Sequence, residues 1–178
     1  MSQTIFITGT PCTGKTTVSE VLSNNLNCKL IKINDLAIEN DFVLGIDEDK
    51  GYKVIDIDAL DDKVSQIISE SDELLVFEGH LSHLCSGADK VIVLRVHPDI
   101  LRERLEARGY SESKIRENLE AEALGVCSAE AFDEYGDRIS EIDASDLSID
   151  EIVCLINDVI SDKRVFPVGE VNFMDWLI

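Results

Sequence analysis

The chain has 178 residues, 44% of them hydrophobic, and a formal net charge of −20, which fits one globular domain with a substantial core and excludes a disordered chain. No apolar run approaches the ~18 residues of a membrane span, and the start Met1-Ser2-Gln3-Thr4 lacks the basic segment of a signal peptide, so a cytoplasmic protein is expected. The acidity repels bare nucleic acid and anionic membrane and favours a basic protein partner, such as a ribosomal protein, while also serving plain solubility.

In chain order, Thr4 to Thr8 reads as a short buried strand ending at Gly9. Val18, Val21, Leu22 and Leu26 then recur at helical spacing. Lys29 to Ile33 reads as a second strand. A short helix near Asp35–Glu39 and an acidic turn at Asp47-Glu48-Asp49 follow. Leu60, Val64, Ile67 and Ile68 mark another helix, with Asp58 as its expected N-cap. Leu74 to Phe77 and Val91 to Val96 are continuous apolar strands. Pro98 suits the first position of a helix reaching about Arg108, with Gly109 just past its end. Ser111 restarts a helix whose apolar face is Ile115, Leu119, Ala123 and Val126. Arg138 to Ile142 is a last strand. Ser148 and Glu151 form a capping-box pattern ahead of Ile152, Leu155, Ile156 and Val159. The apolar tail from Val165 to Ile178 is expected to pack back on the body. Strands alternating with helices, and apolar along their length, imply an α/β fold: a parallel sheet with helices on both faces.

Gly9-Thr10-Pro11-Cys12-Thr13-Gly14-Lys15-Thr16 satisfies G-x-x-x-x-G-K-[ST], entered by a strand and left by an amphipathic helix. That makes a P-loop NTPase the expected fold and ATP with Mg²⁺ the expected ligands. Backbone N–H groups of the loop and the helix N-terminus point at phosphates, and the helix dipole favours negative charge there. Lys15 reaches the β- and γ-phosphates, Thr16 supplies a hydroxyl to Mg²⁺, and Thr17 contacts the α-phosphate. Gly9, Cys12, Thr13 and Gly14 complete the cradle. Cys12 stands where many such loops have glycine, so it either tolerates an unusual backbone conformation at some cost or is a reactive thiol beside a positive loop. The other cysteines, Cys28, Cys85, Cys127 and Cys154, read as reduced thiols. Five of the seven arginines fall between Arg95 and Arg116, a basic cluster inside an acidic body.

The phosphate loop, then Asn34-Asp35-Leu36-Ala37, Glu78-Gly79-His80, Val93-Leu94-Arg95 and the run from Glu103-Arg104-Leu105 to Arg108-Gly109-Tyr110 together resemble the adenylate kinase isoenzyme 6 (CINAP) family and its archaeal relatives. The resemblance covers roughly residues 3–125. It implies a nucleoside-monophosphate-kinase-like domain over residues 1–178, with a monophosphate-binding segment at about 32–56 and a lid at about 107–117. It also implies ATP–AMP phosphotransfer, ATP hydrolysis, and a role in maturing the small ribosomal subunit through a basic ribosomal protein.

Glu78 ends a strand where the family has aspartate in an Asp-x-His pattern, and an acid there holds Mg²⁺ through water. His80 orients or deprotonates a water or hydroxyl. His80, His83 and Cys85 also have loose zinc-ligand spacing but no fourth ligand nearby. Arg108 matches the family's lid arginine, at a break where it can close over phosphates, and Arg116 on the next helix is a candidate helper. Arg104, beside Glu103 and Glu106, reads as a surface ion pair. Arg95 is open between structure and ligand. Where relatives with stronger adenylate-kinase character carry an arginine after Asp-Leu-Ala, this chain has Ile38, so weak AMP handling is expected. Lys32 is the best substitute among the cations Lys29, Lys32, Lys50 and Lys53.

Overall fold

A computed structural model describes residues 2–49 and 51–178, so Met1 and Lys50, one of the candidate cations, lie outside the described residues. The chain opens with strand β1 (Thr4–Thr8), the phosphate loop, and helix α1 (Lys15–Leu26). Strand β2 (Lys29–Lys32) runs into helix α2 (Ile33–Glu39), followed by the strands β3 (Val43–Ile46) and β4 (Lys53–Ile55) and helix α3 (Ile57–Ser69). Strand β5 (Leu75–Glu78) and strand β6 (Lys90–Arg95) lead to helix α4 (Pro98–Ala107) and helix α5 (Glu112–Leu124). Helix α6 (Val126–Tyr135), strand β7 (Ile139–Asp143) and helix α7 (Ile149–Ile160) finish the body, and a helical turn at Met174–Leu177 lies near the end of the tail.

Five strands form one sheet in the order β2-β5-β1-β6-β7, every pair parallel, while β3 and β4 pair antiparallel as a separate hairpin. Side chains alternate across a strand, and here they feed two cores. Ile5, Ile7, Val76, Ile92 and Leu94 pack on one face with Val18 and Leu22 of α1, Leu101 and Leu105 of α4, and Ile152 and Ile156 of α7. Phe6, Phe77, Val91 and Val93 pack on the other face with Ile33 of α2, Leu60 and Val64 of α3, and Ala131 and Tyr135 of α6. Both faces are covered, which is why these strands are apolar throughout.

Three expectations are corrected. Asp56, not Asp58, caps α3: its carboxylate accepts from the Ala59 N–H at 3.0 Å. Asp58 lies inside the first turn, where it still suits the helix dipole. Helix α5 stops at Leu124 because Gly125 takes the left-handed conformation at φ 66. Val126 therefore starts α6, a helix the sequence pattern did not reveal, and lies 36% exposed rather than on the face of α5. The tail returns to the body only in part. Phe166, Phe173 and Trp176 pack, and Trp176 Nε1 donates to Asp99 at 2.8 Å, but Val165 and Ile178 are exposed. Among the described residues no helix is long and apolar enough to cross a membrane.

Candidate active site

Strand β1 lies at the centre of the sheet, and its C-terminal end delivers the phosphate loop. Its neighbour β5 ends beside it, with Ile7 in register with Glu78. In open parallel sheets this edge is where ligands bind.

The loop's backbone explains its residues. Gly9 has φ +145, and a Cβ there would come 2.5 Å from the Leu94 carbonyl oxygen, so no side chain fits. Gly14 has φ +97 and caps α1, whose first turn no side chain caps. Its N–H groups are therefore left for a ligand, as an anion cradle requires. Cys12 adopts φ 68 despite its side chain, a strained conformation for a residue other than glycine. Thr13 is buried, with its hydroxyl donating to the Thr10 carbonyl at 2.9 Å. Lys15 is buried, and its Nζ donates to the same carbonyl at 2.9 Å. Thr16 and Thr17 are exposed at the mouth of the loop.

Glu78 is buried opposite the loop. Burial pushes its carboxyl above the usual range, against the pull of the Lys15 charge, the Thr16 hydroxyl and Lys32. Burial likewise lowers the Lys15 ammonium, with Glu78 pulling it back. The donor chemistry fits the expected ligands. The Thr16 hydroxyl and Glu78 carboxylate are hard oxygen donors suited to Mg²⁺. Among the described residues no group of three or more His, Cys, Asp or Glu could hold a metal alone, which suits Mg²⁺, an ion that is usually held by one or two side chains with water and substrate phosphates.

His80 follows at the site's edge, driven down to about 4 by burial, the Lys15 charge and His83; it is a neutral imidazole at pH 7. His83 is not a site ligand. Its ring lies between the Thr8 hydroxyl, 2.6 Å from Nδ1, and Glu130, 2.7 Å from Nε2.

Beyond His80 a cavity of about 680 Å³ opens, lined by Asn34 and Ile38 of α2, Tyr52, Lys53 and Ile55 of the hairpin, and Arg108, Tyr110 and Lys114 around the α4–α5 break. Of these, Asn34 and Tyr52 fall in the segment 32–56 and Lys114 in the segment 107–117 that the resemblance implies, but neither Tyr52 nor Lys114 was singled out by its own residue pattern. Lys114 could have been suspected from its place one turn beyond the Arg108-Gly109-Tyr110 break.

The remaining basic residues sort clearly. Arg104 is not a surface ion pair: its Nη1 donates to the Cys12 carbonyl at 3.4 Å, and it is Arg102 that meets Glu106 and Glu112. Arg95 is structural. It is 2% exposed, donates through Nε to Glu122 at 2.9 Å and to Glu141, and lies 5.2 Å from the Phe173 ring centroid. Arg116 pairs with Glu120 at 2.8 Å on the exposed side of α5. Lys32, expected to stand in for the missing arginine, is held by Glu20 at 2.7 Å and does not line the cavity.

Comparison with known proteins places the chain by family and fold. A family profile described as an AAA domain matches residues 5–125. The "Putative adenylate kinase" of Methanothermobacter thermautotrophicus is 46% identical over 98% of this chain and 99% of its own length. The protein of the same name from Pyrococcus furiosus is 41% identical over 97% and 90%. Among solved structures, shikimate kinase from Acinetobacter baumannii in complex with shikimate shares the fold at a TM-score of 0.65 and 13% identity, over 92% of this chain and 96% of that one. A gluconokinase from Sinorhizobium meliloti does so at 0.59 and 16%, over 90% and 92%. With its phosphate loop, parallel sheet and near full-length relatives, the chain belongs to the adenylate kinase family represented by these archaeal proteins and has the P-loop kinase fold.

Proposed function

We propose that this protein transfers the γ-phosphate of ATP to AMP, giving two ADP, and hydrolyses ATP slowly when no acceptor is bound. The observation that carries the reading is the juxtaposition of two sites at one sheet edge. The anion cradle of the phosphate loop lies on one side of Glu78 and His80, and on the other lies a cavity lined, among the described residues, by three cations and no acid. Such a pair suits two phosphate-bearing substrates meeting in line.

In this reading Gly9, Cys12, Thr13, Gly14, Lys15, Thr16 and Thr17 hold the triphosphate, and Thr16 and Glu78 hold Mg²⁺. The ion, when bound, neutralises charge on the transferring phosphoryl group. Lys15, buried at the loop, does the same from the protein side. His80, neutral at pH 7, orients the attacking oxygen of the AMP phosphate, or water when no acceptor is bound, through a ring nitrogen. Arg108, exposed at the C-terminal end of α4, closes over the phosphates as part of a lid at 107–117, facing the acceptor segment at 32–56. Ile38, 48% exposed on the cavity wall, cannot make the forked contact an arginine would make there, so the AMP affinity is low.

A second reading has its own support. The same Ile38, the net charge of −20 and the exposed Leu44 and Ile46 of the hairpin suit a cytoplasmic ATPase that acts on a basic ribosomal protein during small-subunit maturation, with little acceptor phosphorylation.

Both readings need the loop. Lys15→Ala is expected to abolish ATP turnover, removing several kcal/mol, roughly 3 or more, of transition-state stabilisation, while circular dichroism shows the fold retained. Turnover at the unsubstituted rate would contradict the assignment of the loop.

A further inference from the structure

The chain has 36 acidic and 16 basic residues, yet only some of the described cations form ion pairs, and three that form none stand together. Lys32, Lys90, Arg95, Arg102 and Arg116 are each ion-paired. Lys53, Arg108 and Lys114 instead line one cavity, and among the described residues none of the three has such a partner.

Lys114 differs from the other two in being held. Its ammonium stands 4.9 Å from the centroid of the Tyr52 ring and 6.0 Å from that of Tyr110. Asn118, one turn along α5, donates to the Tyr52 hydroxyl at 3.2 Å and so steadies that ring. Gly51 leaves the ammonium its space, since a Cβ there would stand 3.1 Å from Nζ. Aromatic faces attract a cation but accept none of its three N–H groups as ordinary hydrogen bonds. Its position also runs against helix electrostatics: Lys114 is the third residue of α5, close to the N-cap Ser111, where the dipole disfavours positive charge. A cation kept at a helix N-terminus, with its rotamer restrained and no hydrogen-bond acceptor for its N–H groups among the described residues, is suited to an anion that both the charge and the dipole attract.

We propose that Lys114 is the acceptor-phosphate anchor: its ammonium, steadied by Tyr52 and Tyr110, binds the phosphate of the monophosphate acceptor in place of the arginine that α2 lacks. The inference rests on the reading of the cavity as the acceptor site. It also joins recognition to closure, because Tyr52 belongs to the hairpin side of the cavity and Tyr110 to the α4–α5 break. An acceptor phosphate drawn to Lys114 holds the two sides together.

The test compares Lys114→Met, which keeps the aliphatic stem against the rings and removes the charge, with Lys114→Arg, which restores charge. AMP binding is measured by equilibrium dialysis, alongside the KM values for AMP and ATP in an ADP-forming assay. Lys114→Met should weaken AMP binding and raise the KM for AMP about tenfold or more, the scale of a lost hydrogen bond to a charged group. The KM for ATP should stay unchanged, and Lys114→Arg should recover most of the AMP affinity. Unchanged AMP affinity in Lys114→Met, equal losses for AMP and ATP, or an arginine variant as poor as methionine would each overturn the anchor. If AMP binds through Lys114 but yields no ADP, the anchor stands and the kinase reading fails. If the unsubstituted protein phosphorylates AMP and Lys114→Met leaves its affinity intact, the kinase reading stands and the anchor fails. No AMP binding to the unsubstituted protein would overturn both.

Discussion

Three influences act on His80 in one direction: burial, the Lys15 charge and neighbouring His83 hold it down to about 4. A histidine in the unfolded chain titrates near 6.5. Between those values the unfolded chain takes up a proton that folded His80 refuses, so stability is fully present above about 6.5 and falls as the pH is lowered toward 4. His83, lowered mainly by its burial although Glu130 opposes the shift, adds a slope of the same sign. Urea unfolding at neutral and acid pH should show this decline, and His80→Gln should make it shallower. An identical slope in the variant would mean that His80 titrates normally in the folded protein. Residue chemistry of this kind is only half legible in a sequence. The spacing Glu78-Gly79-His80 is plain, but a depressed histidine needs the burial and the cation that only the fold supplies. Arg95 and Arg104 show the same limit. One is sequestered by Glu122 and Glu141, 27 and 46 residues away, and the other reaches Cys12 across 92 residues.

At the scale of elements, the start of α3 offers a clean discrimination. Asp56 accepts the Ala59 N–H, whereas Asp58 contributes only through the dipole. Asp56→Ala should therefore cost about 1 kcal/mol of stability and Asp58→Ala roughly half of that or less, both read from denaturant midpoints; the reverse order would restore Asp58 as the cap. The sheet and the capping box of α7 were readable because continuous apolar strands and the Ser148–Glu151 pair are local signals. Both halves of that box form, with Ser148 N–H donating to Glu151 at 2.7 Å and Glu151 N–H donating to Ser148 at 3.2 Å. The hairpin was not readable. β3 and β4 have four and three residues, Gly45 interrupts the first at an irregular register, and Leu44, Ile46 and Val54 are exposed, so no buried face imposes a period of two. Helix α6 was hidden because Gly125 breaks the run after a single residue and α5 and α6 bury different faces on different neighbours. The resemblance implied the segments 32–56 and 107–117 that line much of the cavity, but its individual lining residues in the hairpin were not readable.

Over the whole molecule, the loop, the sheet and the tail are joined by one buried polar network. The Thr10 hydroxyl donates to Glu122, which also takes Arg95 Nε and the Val96 N–H. Arg95 in turn meets Glu141, which accepts from Ser128 and from the Gly169 N–H in the tail. Arg95, Glu122 and Glu141 at its centre are buried and in direct contact, so salt should affect it little. The exposed acidic surface is different, because its self-repulsion acts through solvent. Raising sodium chloride from ~0.05 M to ~0.5 M, which shortens the Debye length severalfold, should increase the urea midpoint of unfolding. A midpoint that falls with salt would show that surface ion pairs, not repulsion, dominate.

The central claim is that the cradle and the cavity serve two phosphate substrates in one reaction. It is tested most directly by following ADP and inorganic phosphate formation from MgATP with and without AMP. The account predicts slow hydrolysis without AMP, and with AMP added a rise in ADP that outruns phosphate release and saturates only at high AMP concentration. ADP formation indifferent to AMP, with one phosphate released for every ADP, would contradict it.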